Sequence, residues 1–490
     1  MRTPSMAAAA GVVAFLCATP ALANGRFPQS NQIVFSQKDP NLVIARTTYA
    51  ILPSHDNGTS WWYLCEDVLG LPSIAVQDPE LALTAGGSIV AGNYSPSTGL
   101  NVSSDVGCTW SCVNGALGGQ AIADVVVRPD SQHTVLALTG TQVPSDGGPL
   151  MNSSQVFEST DDGATWKPLG TPIDPSWTVE TIDVSKSDPQ RIYVSAWRGF
   201  NMTRTTALFV STNGAQTWTE RDIPSDNGLY DNTTEDRIWI GAVDPTDADR
   251  VYLRSNSQLA GGTSRLYLTT DAGKTMTAPK VFSLMAAKPS YTSAEFLGFA
   301  LSPDGSKVYV GSSQGGLYVA DKATMTFTQT SPIDIHCLAT RPSASGGTEL
   351  WACGDAYTAA PGATGFLVGV STDDGAHFTT KLSEVTALCG PLQCPNAGSS
   401  LGCNATLNGG GCSDSYMGFC QQNDTSNSCG TCPGVDGGTA PPGDAEGAAG
   451  LGAHKASSSC ALAAGQGSAG ALAAVAVAAA MLGGRRRRRK

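Results

Sequence analysis

The sequence predicts an all-β protein whose main body is a seven-bladed β-propeller. Three observations predict this fold. An eight-residue pattern recurs at a period of about 50 residues, which is typical of solenoids, propellers and arrays. A second, proline-containing turn recurs in step with it. Finally, the 490 residues include 56 Gly and 28 Pro but only 14% charged residues, a composition typical of a turn-rich all-β chain.

The repeated pattern reads Ser/Thr-x-Asp-x-Gly-x-Ser/Thr-aromatic, and each copy has the composition of a tight turn. The six copies begin at Ser54, Ser103, Ser159, Ser211, Thr269 and Ser371. The first five starts lie 49 to 58 residues apart and the last gap is 102, so a degenerate copy at 320–327 makes seven units. We expect the third residue to accept backbone hydrogen bonds and the Gly to take positive φ. The structural turn-formers are therefore Asp56, Asp105, Asp161, Asn213, Asp271 and Asp373.

The proline turns complete the predicted blade. They lie upstream of the repeated turns, at Pro40, Pro79, Pro129, Pro189, Pro245, Pro303 and Pro342, and β-rich runs follow most of them. We expect each unit to contain an inner strand, a proline turn, one or two further strands, the repeated turn and an outer strand. Seven such four-stranded blades form a closed ring over residues 24–388.

The eight-residue pattern resembles the Asp box, or BNR repeat, of sialidases and related proteins. This resemblance implies that the pattern occupies the turn between the third and fourth strands of each blade and serves the fold. Sialidase catalysis uses an arginine triad, a Tyr–Glu pair and an Asp. Here the Arg-Ile-Pro type motif of that family is only loosely approached at residues 26–28. The few arginines that could converge on the axis are Arg198, Arg204, Arg237, Arg254 and Arg265. Sialidase activity is therefore not the favoured interpretation.

Both ends of the chain have the composition of export and attachment segments. Residues 1–23 contain Arg2, an apolar stretch and a small-residue cleavage site, as in a signal peptide. Residues 433–459 predict a disordered linker, and residues 460–490 combine Cys460, a short apolar helix able to span a membrane, and an Arg cluster. This last arrangement resembles the MYXO-CTERM sorting signal of myxobacterial surface proteins, which implies processing near Cys460. A permanent single-pass anchor is the alternative.

Residues 389–432 predict a small disulfide-stapled module, because they are rich in cysteine and poor in apolar residues. Its seven cysteines are Cys389, Cys394, Cys403, Cys412, Cys420, Cys429 and Cys432, and the propeller has five, Cys65, Cys108, Cys112, Cys337 and Cys353. Both numbers are odd, so full pairing requires a bridge between the two regions. Cys108 with Cys112, and Cys337 with Cys353, could pair locally, which leaves Cys65 to pair with the module.

Acidic residues near the starts of the predicted inner strands are the candidate functional residues. Glu180, Asp236 and Glu295 are the catalytic candidates, and Asp124, Asp334 and His336 are the candidates for ligand binding. Inner strands line the central channel, so these acids could gather at one mouth, where crowding would raise some pKa values. The alternative, which we favour, is that they are ordinary strand-end acids facing solvent. We predict no metal site and no cofactor.

Charge and attachment together favour a binding function. The chain has a net charge of −12, and without the signal and the basic tail the body carries about −19. A surface this acidic is a poor partner for nucleic acid. We expect an exported, surface-attached scaffold that binds an extracellular glycan or protein. The alternative is a surface-attached glycoside hydrolase, sialidase-like or other, which would need two carboxylates at the channel mouth.

Overall fold

The computed structural model confirms the seven-bladed propeller. It describes residues 29–71, 78–143, 151–199, 205–223, 237–256, 263–275, 282–285, 295–355 and 365–392, together with Cys394 and Cys412. The chain divides into two compact units, Met1–Pro441 and Pro442–Lys490, and every described residue belongs to the first. Within it, seven antiparallel sheets follow one another along the chain.

Blades 1 to 3 occupy the first third of the chain. Blade 1 has three strands, which are β1 (Ser30–Phe35), β2 (Val43–Thr47) and β3 (Ile51–Ser54). Blade 2 has β4 (Glu80–Leu83), β5 (Ile89–Gly92), β6 (Leu100–Ser103) and β7 (Ser111–Cys112). Blade 3 has five, because β10 (Thr141–Val143) joins β8 (Ile122–Val127), β9 (Val135–Thr139), β11 (Met151–Ser159) and β12 (Lys167–Ile173).

Blades 4 to 7 have four strands each in simple meander order. Blade 4 comprises β13 (Thr178–Val184), β14 (Ile192–Arg198), β15 (Thr205–Ser211) and β16 (Thr219–Ile223). Blade 5 comprises β17 (Arg237–Val243), β18 (Val251–Asn256), β19 (Thr263–Thr269) and β20 (Phe282–Met285). Blade 6 comprises β21 (Phe296–Leu301), β22 (Lys307–Ser312), β23 (Gly316–Asp321) and β24 (Thr328–Ser331). Blade 7 comprises β25 (Cys337–Pro342), β26 (Thr348–Cys353), β27 (Val368–Ser371) and β28 (Thr379–Leu382).

The repeated turns connect the third and fourth strands of their blades and have the hydrogen bonds that the pattern predicts. In blade 3 the Ser159 hydroxyl donates to Asp161 Oδ1 at 2.7 Å and accepts the Gly163 N–H at 2.9 Å. Asp161 accepts the Thr165 N–H at 2.8 Å and the Thr165 hydroxyl at 2.6 Å. Gly163 has a φ of 91°, which glycine adopts without strain. The degenerate copy at 320–327 also lies between a third and a fourth strand, β23 and β24.

One proline turn differs from its predicted place. Six of the seven lie at or after the end of the first strand of a blade, whereas Pro79 comes directly before β4. The turn between β4 and β5 is built instead around Gly86 and Gly87, and Gly87 has a φ of 91°. The consequence is that Glu80 begins the inner strand of blade 2, rather than following it.

The segment after the last blade completes the first one. Residues 389–392 run beside residues 61–64, where the Cys389 N–H donates to the Trp61 carbonyl at 2.8 Å and the Leu392 N–H donates to the Tyr63 carbonyl at 2.7 Å. The Trp61 indole N–H donates to the carbonyl of Lys381 in β28 at 3.0 Å. The ring is therefore closed by the chain that leaves blade 7 and adds to the open edge of blade 1.

Disulfides reinforce this closure. Cys65 is bonded to Cys412, so the predicted bridge between propeller and module is confirmed. Cys337 is bonded to Cys353 across β25 and β26, also as predicted. The local pairing of Cys108 with Cys112 was wrong, because Cys108 is bonded to Cys394. Cys112 ends β7, the outer strand of blade 2, which begins three residues after Cys108. Cys112 and Cys389 also each take part in a disulfide bond.

Several predicted features lie outside the described residues. They are the signal segment 1–23, the linker 433–459, the sorting segment 460–490 with Cys460, Asp236, and the module cysteines Cys403, Cys420, Cys429 and Cys432. Over the ranges that are described, no helix is long and apolar enough to cross a membrane.

Candidate functional site

The first strands of the seven blades surround a central cavity of about 920 Å³. Every blade contributes lining residues, and most of them lie near the start of a first strand. Blades 2 to 5 supply polar and aromatic side chains, whereas blades 6 and 7 supply Leu297, Phe299 and Leu338. A volume of this size is within the range of ligand sites in proteins, roughly 300–1,000 Å³. The cavity is therefore the candidate site.

β-Bulges bring specific residues to the cavity. Five of the seven first strands, β1, β8, β13, β17 and β21, skip one residue in their pairing with the second strand. The extra residues are Asn31, Ala123, Glu180, Gly241 and Leu297, and all five line the cavity. A bulge re-aims a side chain out of the regular alternation of a strand. Glu180 is the one charged residue in this set.

In blades 1, 3 and 4 the residue after the bulge connects the blade to the next one. Gln32 Oε1 accepts the Leu81 N–H at 3.1 Å, and Asp124 Oδ2 accepts the Ile182 N–H at 2.9 Å. Thr181 Oγ1 likewise accepts the Ile240 N–H at 2.9 Å. In all three pairs the amide belongs to the first strand of the following blade. Asp124 is therefore a structural link between blades 3 and 4 as well as a cavity residue.

Asp183 forms a second link of the same kind, between blades 4 and 5. Its Oδ2 accepts the Val243 N–H and its Oδ1 accepts the Val184 N–H, both at 2.8 Å. Burial raises the pKa of Asp183 to about 6, although these two hydrogen bonds oppose the shift. The pKa of Asp124 is also raised well above its ordinary range, by burial first and then by the nearby Glu80 carboxylate.

Glu180 belongs to a group of aromatic and charged side chains that we call the mouth cluster, namely Tyr94, Glu180, Trp197, Arg237 and Trp239. Glu180 Oε1 accepts the Trp197 indole N–H at 2.5 Å and lies 3.4 Å from Arg237 Nη1. The Arg237 guanidinium is 5.2 Å from the centre of the Trp197 ring. Burial, and then the Glu180 carboxylate, raise the pKa of Tyr94. Tyr94 is 38% exposed, and Trp239 is half-buried on the same inner strand as Arg237.

Two more arginines reach the cavity, and both have protein partners. Arg46 Nη1 donates to Glu80 Oε1 at 2.7 Å and to the Pro79 carbonyl at 3.0 Å. Arg254 donates to the Phe296 carbonyl at 2.9 Å and to the Leu297 carbonyl, and burial lowers its pKa. Arg198 and Arg265 do not line the cavity, and Arg204 lies outside the described residues. The arginines of the site are thus Arg46, Arg237 and Arg254.

Of the acids near predicted strand starts, Asp124 and Glu180 line the cavity, whereas two others do not. Glu295 and Asp334 are not among the cavity-lining residues, and neither is His336, which is buried. Glu295 lies two residues before the bulge of β21, where Leu297 faces the cavity instead. Asp334 precedes β25, which pairs with β26 without a bulge. Asp236 cannot be placed, because it lies outside the described residues.

The sequence argument missed Asp78, Glu80 and Asp183, which also line the cavity. Asp78 and Glu80 were overlooked because Pro79 was assigned to a turn after the first strand. The alternation of polar and apolar residues in β13 was the sequence signal that could have placed Asp183 on the inner strand. Among the described residues, no three His, Cys, Asp or Glu side chains form a group that could hold a metal ion.

Comparison with known proteins adds a family match over part of the ring. The model of the Sortilin-Vps10 family (sortilin, neurotensin receptor 3) matches residues 98–237, from blade 2 to the start of blade 5. No curated protein matches the sequence.

Several solved structures are similar at low sequence identity. YCF48 from Cyanidioschyzon merolae is 15% identical with a TM-score of 0.41, over 66% of this chain and 92% of that one. The GH74 xyloglucanase from Xanthomonas campestris is 14% identical with a TM-score of 0.32, over 75% and 66%. An α-L-arabinanase from Penicillium chrysogenum is 17% identical with a TM-score of 0.38, over 61% and 94%. The propeller assignment rests on the seven sheets of this chain itself.

Proposed function

We propose that this protein is an exported, surface-attached scaffold that binds an extracellular glycan in the mouth of its propeller cavity. The observation that carries the proposal is the mouth cluster, in which three aromatic side chains lie beside a carboxylate and a guanidinium in one cavity. Aromatic surfaces with a few convergent polar groups are typical of small-molecule sites. Sugars present apolar ring faces and hydroxyl edges that match such a lining.

The hydrogen bonds and ion pairs of the cavity carboxylates support binding rather than hydrolysis. Glycoside hydrolysis needs one carboxyl group as acid and a second as base or nucleophile on either side of the bond. Here Asp124 and Asp183 each accept two backbone N–H groups, and Glu80 is paired with Arg46. These contacts hold the blades together, so moving any of these carboxylates onto a substrate would disturb the ring.

The attachment of this scaffold is proposed from the sequence. The eight-residue turns support kinship with Asp-box proteins. Residues 1–23 would direct export, the Cys-rich module 389–432 would end the folded part, and the linker 433–459 would join it to the sorting segment. Cys460 and the following apolar stretch would attach the protein at the cell surface. Intact-mass analysis of the mature protein distinguishes processing near Cys460 from a permanent membrane anchor.

A glycoside hydrolase is the second candidate, and one observation favours it. The raised pKa values of Asp124 and Asp183 shift these carboxyl groups towards the protonated form that a general acid requires. One experiment separates the two functions. The purified protein is incubated with a panel of neutral polysaccharides and sialosides, and both retention and released reducing sugar are measured. Retention without release of sugar supports the scaffold, and release of sugar contradicts it. The absence of both retention and release would contradict both functions.

A further inference from the structure

The walls of the cavity differ from one another in polarity. The mouth cluster comes from blades 2, 4 and 5, and Gln142 of blade 3 also lines the cavity, whereas blades 6 and 7 contribute Leu297, Phe299 and Leu338. Two of the bulge residues, Ala123 and Gly241, are small, and the Phe299 ring packs against Gly241. A flat ligand with an apolar face and a polar edge fits between such walls, and a sugar ring has this character.

The charge of the lining disfavours an acidic ligand. Among the residues that the structure describes, five carboxylates, Asp78, Glu80, Asp124, Glu180 and Asp183, line the cavity with three arginines. Two of those arginines are already paired with carboxylates, Arg46 with Glu80 and Arg237 with Glu180. Because like charges repel in a cavity shielded from water, an anionic sugar would be rejected. A neutral sugar can still accept from Arg237 and donate to a carboxylate.

The shape of the cavity restricts how a chain can enter. All seven first strands contribute to its wall, so the cavity is closed laterally by the ring. On β13 the lining runs from Thr178 to Asp183, a depth of about 15 Å at the rise of a β-strand. A polysaccharide lying across the mouth cannot place an internal residue at this depth. Only a chain end or a branch tip can enter along the propeller axis.

From these three observations we propose that the cavity recognises the terminal residues of a neutral oligosaccharide, which enters end-on past the mouth cluster. The inference rests on the proposed glycan-binding function and specifies its ligand. Glu180 accepts hydrogen bonds from sugar hydroxyls, Arg237 donates to them, and Trp239 provides apolar surface at the entrance. The protein would then bind one chain end at a time, with no preference for long polymers over short ones.

Titration calorimetry on the full chain tests the proposal. The probes are xylotriose, arabinotriose and cellotriose, hexasaccharides of the same three series, and a soluble neutral polymer of each of the first two. The expected result is one protein per chain end for every length. More bound proteins than the polymer has chain ends and branch tips would overturn end-on binding and leave the glycan-binding function standing. No binding to any of these probes would overturn the glycan-binding function itself. Trigalacturonate is the charge control, and tighter binding of it than of the neutral trisaccharides would refute the neutral preference.

Variants assign the site to the mouth cluster. Glu180→Gln and Trp239→Ala are each expected to weaken binding about tenfold or more, since each removes a buried contact to the ligand. Glu384→Gln is the matched control, because Glu384 is exposed beyond the last strand and outside the cavity. Trp239→Phe is the milder second variant should Trp239→Ala not fold. Unchanged affinity in both Glu180→Gln and a folded Trp239 variant would place the ligand elsewhere and overturn the proposal.

Discussion

Lowering the pH from 7 to 4 is expected to stabilise this propeller, and Asp183 is the main reason. Its pKa in the folded protein is about 6, against an ordinary value of 3.8. Between these two values the folded protein holds a proton that the unfolded chain has lost. Stability that depends on this proton is therefore fully present below about pH 3.8 and is lost as the pH rises through 6.

The size of the effect follows from the shift. A difference of about two pKa units corresponds to about 3 kcal/mol of unfolding free energy, with a slope of about 1.4 kcal/mol per pH unit across the window. Asp124 acts in the same direction, because its pKa is also raised. The repeated-turn carboxylates act in the opposite direction at lower pH. Hydrogen bonds from the His377 N–H and ring, and from the Ser371 hydroxyl, lower the pKa of Asp373 to about 2. Stability should therefore be greatest between about pH 4 and 5.

Urea unfolding monitored by tryptophan fluorescence from pH 4 to 7.5 measures this dependence. Asp183→Asn serves as the comparison, because the amide keeps one acceptor for the link to blade 5 but cannot titrate. The variant should be less stable than the wild type at pH 4, and the difference should shrink by about 3 kcal/mol by pH 7. A difference that is the same at every pH would show that Asp183 does not take up a proton on folding, and would refute the reasoning.

Two further predictions concern the closure and the turns. Replacing Cys65 and Cys412 by Ser should cost about 4 kcal/mol in the chain-entropy estimate, because the remaining Cys108–Cys394 bridge leaves this disulfide a loop of about 60 residues to close, whereas the 16-residue Cys337–Cys353 loop should cost about 3. Denaturant titration of the two double variants checks the order, and the reverse order would contradict it. Asp161→Ala should cost about 2 kcal/mol and Asn213→Ala about 1, because the charged acceptor makes the stronger hydrogen bonds. Equal losses in thermal unfolding would contradict this ranking.

Much of the ring could be predicted because its signals are local. A turn such as that of Asp161 is completed by residues within four positions, so its hydrogen bonds leave a readable pattern. Cysteine parity likewise required a bridge between propeller and module, although the choice of Cys65 relied on a local Cys108–Cys112 pairing that the structure does not have. The pairing of Cys108 with Cys394 had no such local trace, since these residues lie 286 positions apart.

The candidate site was harder to predict because it depends on bulges and on strand starts. A single extra residue in β13 turns Glu180 towards the cavity, while Glu295 and Asp334, which looked equivalent in sequence, are not placed there. In blade 2, Pro79 was assigned to the turn after the first strand, but it lies directly before that strand. A register shift of one residue changes which side chains face the propeller axis. Such shifts cannot be recognised from the amino-acid composition or from the period of the repeat.

The sequence alone determined the number of blades, the position of the repeated turns and the need for a bridge between propeller and module, because periodicity and parity are properties of the chain itself. The tertiary structure alone decided which acids meet at the axis and what they do there. Asp124 and Asp183 became links between blades, while Glu180 joined Trp197 and Arg237 at the mouth. The physical reason is that these contacts join residues about 60 positions apart, and only closure of the ring brings neighbouring inner strands together.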